Sequence, residues 1–103
     1  MEQYRGRNMT YEIQCDELRE LVNNGGQLID VRSSHEYNQG ALESAINIPV
    51  ESIPHHTDAI DRSKPVMLYC VSGMRASVVK RFLESLGFNY VYNLGGISQL
   101  AHC

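Results

Sequence analysis

Short apolar runs alternate with helical patterns along this chain of 103 residues, and this alternation limits the possible folds more than any other feature. The clearest run, residues 65–70, is apolar with little polar alternation, which is typical of a strand buried on both faces. The pattern that follows it has apolar side chains at helical spacing: Val78, Val79, Phe82, Leu83 and Leu86. Because strands separated by helices need right-handed crossovers, the sequence predicts an α/β fold with a parallel sheet and helices on both faces.

The remaining elements follow from the same patterns. Three further apolar runs are predicted strands: residues 27–31, 45–48 and 90–93. Four further segments are predicted to be helical: residues 15–23, 33–40, 53–60 and 97–100. Segment 53–60 is also compatible with an irregular turn, and Gly95-Gly96 is interpreted as a turn before the last helix.

Length and composition predict one domain. At about 100 to 200 residues per domain, the whole chain, 1–103, forms one unit. We expect its core to span about residues 9–102 and residues 1–8 to be flexible. A hydrophobic fraction of 43% excludes a disordered chain. Nine basic and 12 acidic residues give a net charge of −3 without a basic cluster, so neither nucleic acid nor a membrane is expected as a partner.

The three cysteines do not suggest a disulfide framework, because they are few and widely spaced. Cys15 is predicted to be a half-buried structural residue, and Cys103 an inert thiol in the tail rather than one that resolves another cysteine. The N-terminus lacks the apolar region of a signal peptide, so a cytoplasmic location is expected. The histidines His35, His55 and His56 have no partner at ligand spacing, so no metal site is predicted.

Cys70 is the strongest candidate for a functional residue, because it ends the central apolar run. In open parallel sheets, ligands bind at the carboxyl ends of the strands. Gly73 and the helix start after it supply backbone N–H groups that stabilise an anion, and Arg75 adds a positive charge. A cysteine at a strand end is by itself more often a small buried hydrophobe. The combination with Gly73 and Arg75 instead indicates a thiolate nucleophile.

Four segments, taken together, resemble a known family. They are residues 28–37, 40–49, 70–76 and 86–96. In this order they resemble a single-domain rhodanese, a member of the thiosulfate sulfurtransferase family. The similarity extends over most of the chain. It departs from the family pattern at Ala41, where a histidine is common, at Val71, where many members that use thiosulfate have a basic residue, and at Leu100, where a tryptophan is often found.

The resemblance implies a five-stranded parallel sheet and a sulfurtransferase that carries a persulfide on Cys70. The sulfur would come from thiosulfate or a related donor and would pass to cyanide or a thiol acceptor, with a sulfur-relay protein as a further partner. No metal or organic cofactor is needed. Arg75 would be the second catalytic residue, holding the anionic donor. The other residues of the loop would bind substrate: Val71, Ser72, Gly73, Met74 and Ala76.

Three charged residues upstream are interpreted as support for this loop: Asp30, Arg32 and Glu36. Two other functions remain open. A phosphatase or arsenate reductase-like enzyme also places a cysteine and an arginine around an oxyanion, but such enzymes resemble a C-x5-R pattern, whereas Cys70 and Arg75 form C-x4-R. A non-catalytic interaction module with the rhodanese fold is the third possibility.

Overall fold

Apolar runs and helical patterns of the sequence become strands and helices close to their predicted positions in a computed structural model, which describes residues 15–100 and residue 103. The strands are β1 (Gln27–Asp30), β2 (Ile46–Asn47), β3 (Val66–Cys70) and β4 (Val91–Gly96). The α-helices are α1 (Cys15–Asn23), α2 (Ser34–Asn38), α3 (Met74–Ser85) and α4 (Ile97–Leu100). Two 3₁₀ helices, Val50–His55 and Thr57–Ala59, occupy the segment whose pattern is ambiguous.

The sheet is parallel throughout, in the order β2-β1-β3-β4. The α/β class is therefore confirmed. The expected number of five strands is wrong for the described residues, which contain four. Each of their four apolar runs forms one strand, and the segments between them form helices or turns. The expected core boundary at residue 9 and the flexible segment 1–8 lie outside the described residues.

Side chains of β3 alternate between two hydrophobic clusters, as the period of a strand requires. Val66, Leu68 and Cys70 belong to the cluster under α3, here called the α3 side. Met67 and Tyr69 belong to the cluster under α1 and α4, here called the α1 side. All five residues of β3 are buried. Helices thus cover both faces of the sheet, as predicted, and β3 carries Cys70 to its carboxyl end between two neighbouring strands.

Two details of the predicted elements are wrong. Gly95-Gly96 is part of β4 rather than a turn, because this strand continues until Gly96 pairs with Cys70 across the sheet. The apolar pattern of the predicted helix includes Val78 and Leu86, but these side chains are 49% and 39% exposed. Val78 lies outside the stripe of α3 that packs on the sheet, and Leu86 follows the last residue of α3.

A disulfide bond joins Cys15 to Cys103, which are 88 residues apart in sequence. Cys15 is half-buried, as predicted, but the prediction of an inert thiol at Cys103 is wrong. The first residue of α1 and the end of the chain meet on the α1 side of the sheet, where their Cα atoms are 5.3 Å apart. This separation suits a disulfide bond. The wide spacing of the cysteines in the sequence therefore did not exclude a disulfide bond between two of them.

None of the helices in residues 15–100 is long and apolar enough to cross a membrane. A cytoplasmic location stays a prediction. Within the same residues, no three histidine, cysteine or acidic side chains converge as metal ligands.

Candidate active site

Cys70 lies at the end of β3 with its side chain fully buried, and the next three residues curve around its sulfur. The turn depends on Gly73, whose φ of 92° lies in the left-handed region that favours glycine. In this conformation the Gly73 N–H donates a hydrogen bond to Cys70 Sγ, at 3.0 Å. The chain then enters α3 at Met74. The loop therefore directs a backbone donor at the sulfur, as the sequence predicts for a thiolate site.

Two residues of β4 hold the loop in place. Asn93 Nδ2 donates to the Gly73 carbonyl at 3.0 Å, and the same carbonyl accepts from the Ser77 amide at 2.9 Å. Gly96 lies so close to Val71 that a Cβ atom at this position would be 2.1 Å from the Val71 carbonyl oxygen. Sequence reasoning did not single out Asn93 or Gly96 as site residues. Their position near the end of a predicted strand could have indicated them, because the carboxyl ends of neighbouring parallel strands meet at the same edge of a sheet.

Arg75 forms a two-point ion pair with Glu36. Its Nη1 is 2.8 Å from Glu36 Oε1, and its Nη2 is 3.1 Å from Oε2. The hydrogen bonds from Arg75 lower the pKa of Glu36 to about 2, with a further contribution from the Ser33 backbone. Glu36 in turn raises the pKa of Arg75, and the nearby Cys70 has a smaller effect in the same direction. At neutral pH both partners are charged, so the pair as a whole is neutral.

The start of α2 positions Glu36 for this pair. Ser33 and Glu36 form a capping box: the Ser33 hydroxyl accepts from the Glu36 amide at 3.1 Å, and Glu36 Oε1 accepts from the Ser33 amide at 2.9 Å. A serine followed three residues later by a glutamate is a recognised signal for a helix start. One carboxylate thus caps α2 and holds the first turn of α3.

Asp30 and Arg32 form a second ion pair, which is buried. The exposed fractions are 0% for Asp30 and 6% for Arg32. Arg32 Nη2 is 2.6 Å from Asp30 Oδ2 and also donates to the Gly40 carbonyl at 2.7 Å. Hydrogen bonding to Asp30 raises the pKa of Arg32. Asn47 Nδ2 donates to the backbone carbonyls of both residues, each at 2.9 Å. A buried pair with these partners holds the chain between β1 and α2 in one conformation.

The other loop residues differ in exposure. Val71 is 51% exposed and Met74 is 75% exposed, so the outer surface of the loop is largely apolar. Ser72 is also exposed, and its Oγ accepts from the Met74 amide at 3.4 Å. Ala76 is fully buried in the cluster on the α3 side. The Ala76 side chain thus packs in the core under α3, and its assignment to the substrate-binding loop stays a prediction.

Comparison with known proteins identifies the family of this chain. A family model described as "Rhodanese-like domain" matches residues 14–103. The chain belongs to the rhodanese-like domain family. This rhodanese-like chain is 33% identical over 75 residues to the thiosulfate sulfurtransferase PspE of Escherichia coli (strain K12), and the match covers 71% of the chain and 72% of PspE. The resemblance seen in the sequence is thereby confirmed.

Other relatives are longer proteins. The chain is 28% identical over 102 residues to a tRNA uridine(34) hydroxylase of Yersinia pestis (strain Pestoides F), covering 91% of the chain but 29% of the hydroxylase. Among solved structures, reduced Bacillus anthracis CoADR-RHD superimposes with a TM-score of 0.75 at 35% identity, covering 85% of the chain and 16% of that protein. The rhodanese-like chain thus spans less than a third of each. The expectation of no nucleic-acid partner, which rests on charge, stays a prediction.

Proposed function

We propose that this rhodanese-like chain is a sulfurtransferase that carries a persulfide on Cys70. The observation that carries the proposal is the hydrogen bond, 3.0 Å long, that the Gly73 N–H donates to the buried Cys70 sulfur. A backbone donor already aimed at the sulfur stabilises negative charge there without reorganisation during the reaction. The relationship to a thiosulfate sulfurtransferase over 72% of that enzyme supports the same chemistry.

The reaction has two displacement steps. In the first, the Cys70 thiolate attacks the outer sulfur of thiosulfate or a related donor. A bond forms between the two sulfur atoms, the donor's own sulfur–sulfur bond breaks, and sulfite leaves with the electron pair. In the second, cyanide or a thiolate attacks the outer sulfur of the persulfide. The products are thiocyanate or a new persulfide, and the Cys70 thiolate is regenerated. Neither step needs a metal or an organic cofactor.

In this proposal Arg75 both holds the loop through Glu36 and binds the anionic sulfur donor. A guanidinium has five N–H donors, more than the two bonds that Glu36 accepts. Arg75 can therefore hold an anionic donor while it stays paired with Glu36. Because Glu36 balances its charge, we expect weaker attraction for a dianion such as thiosulfate than an unpaired arginine would give. Asp30 and Arg32 act at a distance, through the conformation of the segment that carries Glu36.

The phosphatase alternative is less well supported. The C-x4-R span is one residue shorter than the C-x5-R pattern of such enzymes, and the Gly73 amide is directed at a single sulfur atom. The combination of the Cys70 thiol, the Gly73 amide directed at its sulfur and the nearby Arg75 favours an enzyme over a non-catalytic module. The proposal includes cyanide or a thiol as the acceptor and a sulfur-relay protein that supplies or receives the sulfur.

The test of the proposed function is the intact mass of the protein after incubation with thiosulfate. We expect a gain of one sulfur atom, located on Cys70 by peptide mapping and lost again when cyanide is added. The variant Cys70→Ser should gain no sulfur and produce no thiocyanate while keeping its fold. Sulfur transfer that persists in Cys70→Ser would show that another residue is the nucleophile.

A further inference from the structure

The Cys15–Cys103 disulfide is a second sulfur site, separate from Cys70. Both of its cysteines are half-buried and thus partly open to solvent. Cys103 packs against the cluster on the α1 side of the sheet, whereas Cys70 belongs to the cluster on the α3 side. The sheet therefore separates Cys103 from the Cys70 side chain, which argues against direct exchange between them. The disulfide can therefore affect Cys70 only through a change in the conformation of the residues between them.

A short series of contacts connects the disulfide to the loop around Cys70. The Cys103 amide donates to the Leu100 carbonyl, at 2.8 Å, which ties Cys103 to the last residue of α4. Within α4, Gln99 Oε1 accepts from the Gly96 amide at 3.2 Å. Gly96 is the residue that approaches the Val71 carbonyl so closely that no Cβ fits between them. The disulfide, α4, the end of β4 and the loop are thus in sequential contact.

The position of α4 depends on few interactions. It has four residues, and a helix of one turn has little stability of its own in water. Leu100 is buried and Ile97 packs on the α1 side, and Arg19 Nη1 donates to the Cys103 carbonyl at 3.4 Å. The covalent bond from Cys103 to the start of α1 is a further link. Breaking the disulfide removes this covalent link and leaves only the weaker contacts. We then expect larger movements of α4, and with them a weaker hold on Gly96 and on the loop.

We propose that Cys15–Cys103 is a redox-active site, and that its reduction by a dithiol loosens the loop around Cys70 and slows sulfur transfer. In the first step a thiolate of the reductant attacks one of the two sulfurs, forming a mixed disulfide and releasing the other cysteine. The second thiol of the reductant then displaces the first cysteine. The protein gains two electrons and two protons, and the reductant becomes a cyclic disulfide.

The cysteine released in the first step stays near the mixed disulfide and can re-form the original bond. A dithiol is the expected reductant because its second thiol completes the reaction before this reversal. With a monothiol, the second displacement requires collision with another thiol molecule, whereas the second thiol of a dithiol is already attached at the site. The loop then loses part of its support while Cys70 itself is chemically unchanged. The two sites would in this way link the activity of the chain to the supply of reduced thiols.

The experiment compares the oxidised full chain with the same protein after treatment with dithiothreitol and removal of the reductant under anaerobic conditions. Intact mass confirms the gain of two hydrogens. In the reduced form we expect amide hydrogen exchange of residues 71–74 to be at least tenfold faster. We also expect alkylation of Cys70 by iodoacetamide to be several-fold faster, and sulfur transfer to cyanide several-fold slower. The double variant Cys15→Ser, Cys103→Ser should match the reduced protein with and without dithiothreitol.

Two variants separate the contact through α4 from a general loss of stability. With the disulfide intact, Gln99→Ala should speed exchange in residues 71–74, whereas its neighbour on α4, Ser98→Ala, should not. The proposal is overturned if oxidised and reduced proteins exchange the loop amides equally fast. It is equally overturned if Gln99→Ala leaves loop exchange unchanged while the disulfide is intact, or if all three cysteines are alkylated without prior reduction. A failure of the proposed sulfur transfer leaves the exchange and alkylation results intact, so the two failures are distinguishable.

Discussion

Arg75 and Glu36 join the first turn of α3 to the first turn of α2 through two hydrogen bonds, of 2.8 and 3.1 Å. The pair is partly exposed, with 40% of the Arg75 side chain and 31% of the Glu36 side chain accessible to solvent. Its importance therefore lies in geometry more than in stability, because exposed ion pairs contribute little to folding. It fixes the guanidinium beside the loop that encloses Cys70.

Replacing Arg75 should impair catalysis. The change Arg75→Ala removes both the partner of Glu36 and the donors available to an anionic substrate. Loss of a hydrogen bond to a charged group costs about 1 to 3 kcal/mol, which corresponds to a fall in kcat/KM for thiosulfate of roughly 5-fold to 160-fold. Steady-state kinetics with cyanide as acceptor measure the effect. Arg81→Ala, an exposed arginine on the same helix, is the control and should be near wild type.

The contribution of Glu36 to stability should depend on pH. Its pKa is lowered in the folded protein, to about 2 from an ordinary value of 4.5. A lowered pKa stabilises the fold fully above about pH 4.5, and this stabilisation is lost as the pH falls towards 2. The difference in unfolding free energy between wild type and Glu36→Gln should therefore be constant above pH 5 and shrink at lower pH. Urea denaturation at several pH values measures it. A difference that does not change between pH 6 and pH 3 would contradict the ion pair.

The disulfide should contribute to global stability. It closes a long loop, since its partners are 88 positions apart in sequence, and the loss of a native disulfide from a small domain typically costs about 2 to 5 kcal/mol. The double variant Cys15→Ser, Cys103→Ser should lose a free energy of unfolding in this range, as measured by urea denaturation. Reduced wild-type protein is the matched comparison and should lose a similar amount. Equal stability of the oxidised and reduced forms would show that the bond adds nothing to the fold.

Gly96 should tolerate no side chain. In Gly96→Ala the added methyl group would lie 2.1 Å from the Val71 carbonyl oxygen, so the backbone of the loop or of β4 must move. Overpacking of this kind typically costs about 1 to 3 kcal/mol, and we expect sulfur transfer to fall by tenfold or more. Thermal unfolding and steady-state kinetics give the two effects. Normal activity in this variant would mean that the loop adapts without loss of function.

The span from Cys70 to Arg75 should exclude phosphate chemistry. We expect wild-type protein to show no hydrolysis of a chromogenic phosphate ester under conditions in which it transfers sulfur. Insertion of one glycine after Gly73 creates the C-x5-R spacing and displaces Arg75, so sulfur transfer should fall. Assays of both proteins with thiosulfate and with the ester measure the rates of sulfur transfer and of ester hydrolysis side by side. Faster ester cleavage than sulfur transfer by the wild type would favour the phosphatase alternative.

Local sequence patterns determined the α/β class, the order of elements and the strongest candidate nucleophile. Residues 66–70 form a buried strand because their apolar side chains leave no face for water, and Gly73 takes the left-handed conformation that lets the chain turn around Cys70. The helix start at Ser33 was also predictable, since the capping box involves residues only three positions apart. Signals of this kind operate over a few residues and can be read directly from the sequence.

Tertiary structure decided which distant residues meet. Cys15 and Cys103 are joined because α1 and the end of the chain pack on the same side of the sheet, and no spacing rule in the sequence reveals this. Arg75 turned out to be held by Glu36, 39 residues away. Gly96 became a neighbour of the loop through strand register. These contacts depend on how helices and strands pack in three dimensions, and the sequence alone does not encode packing in any local pattern.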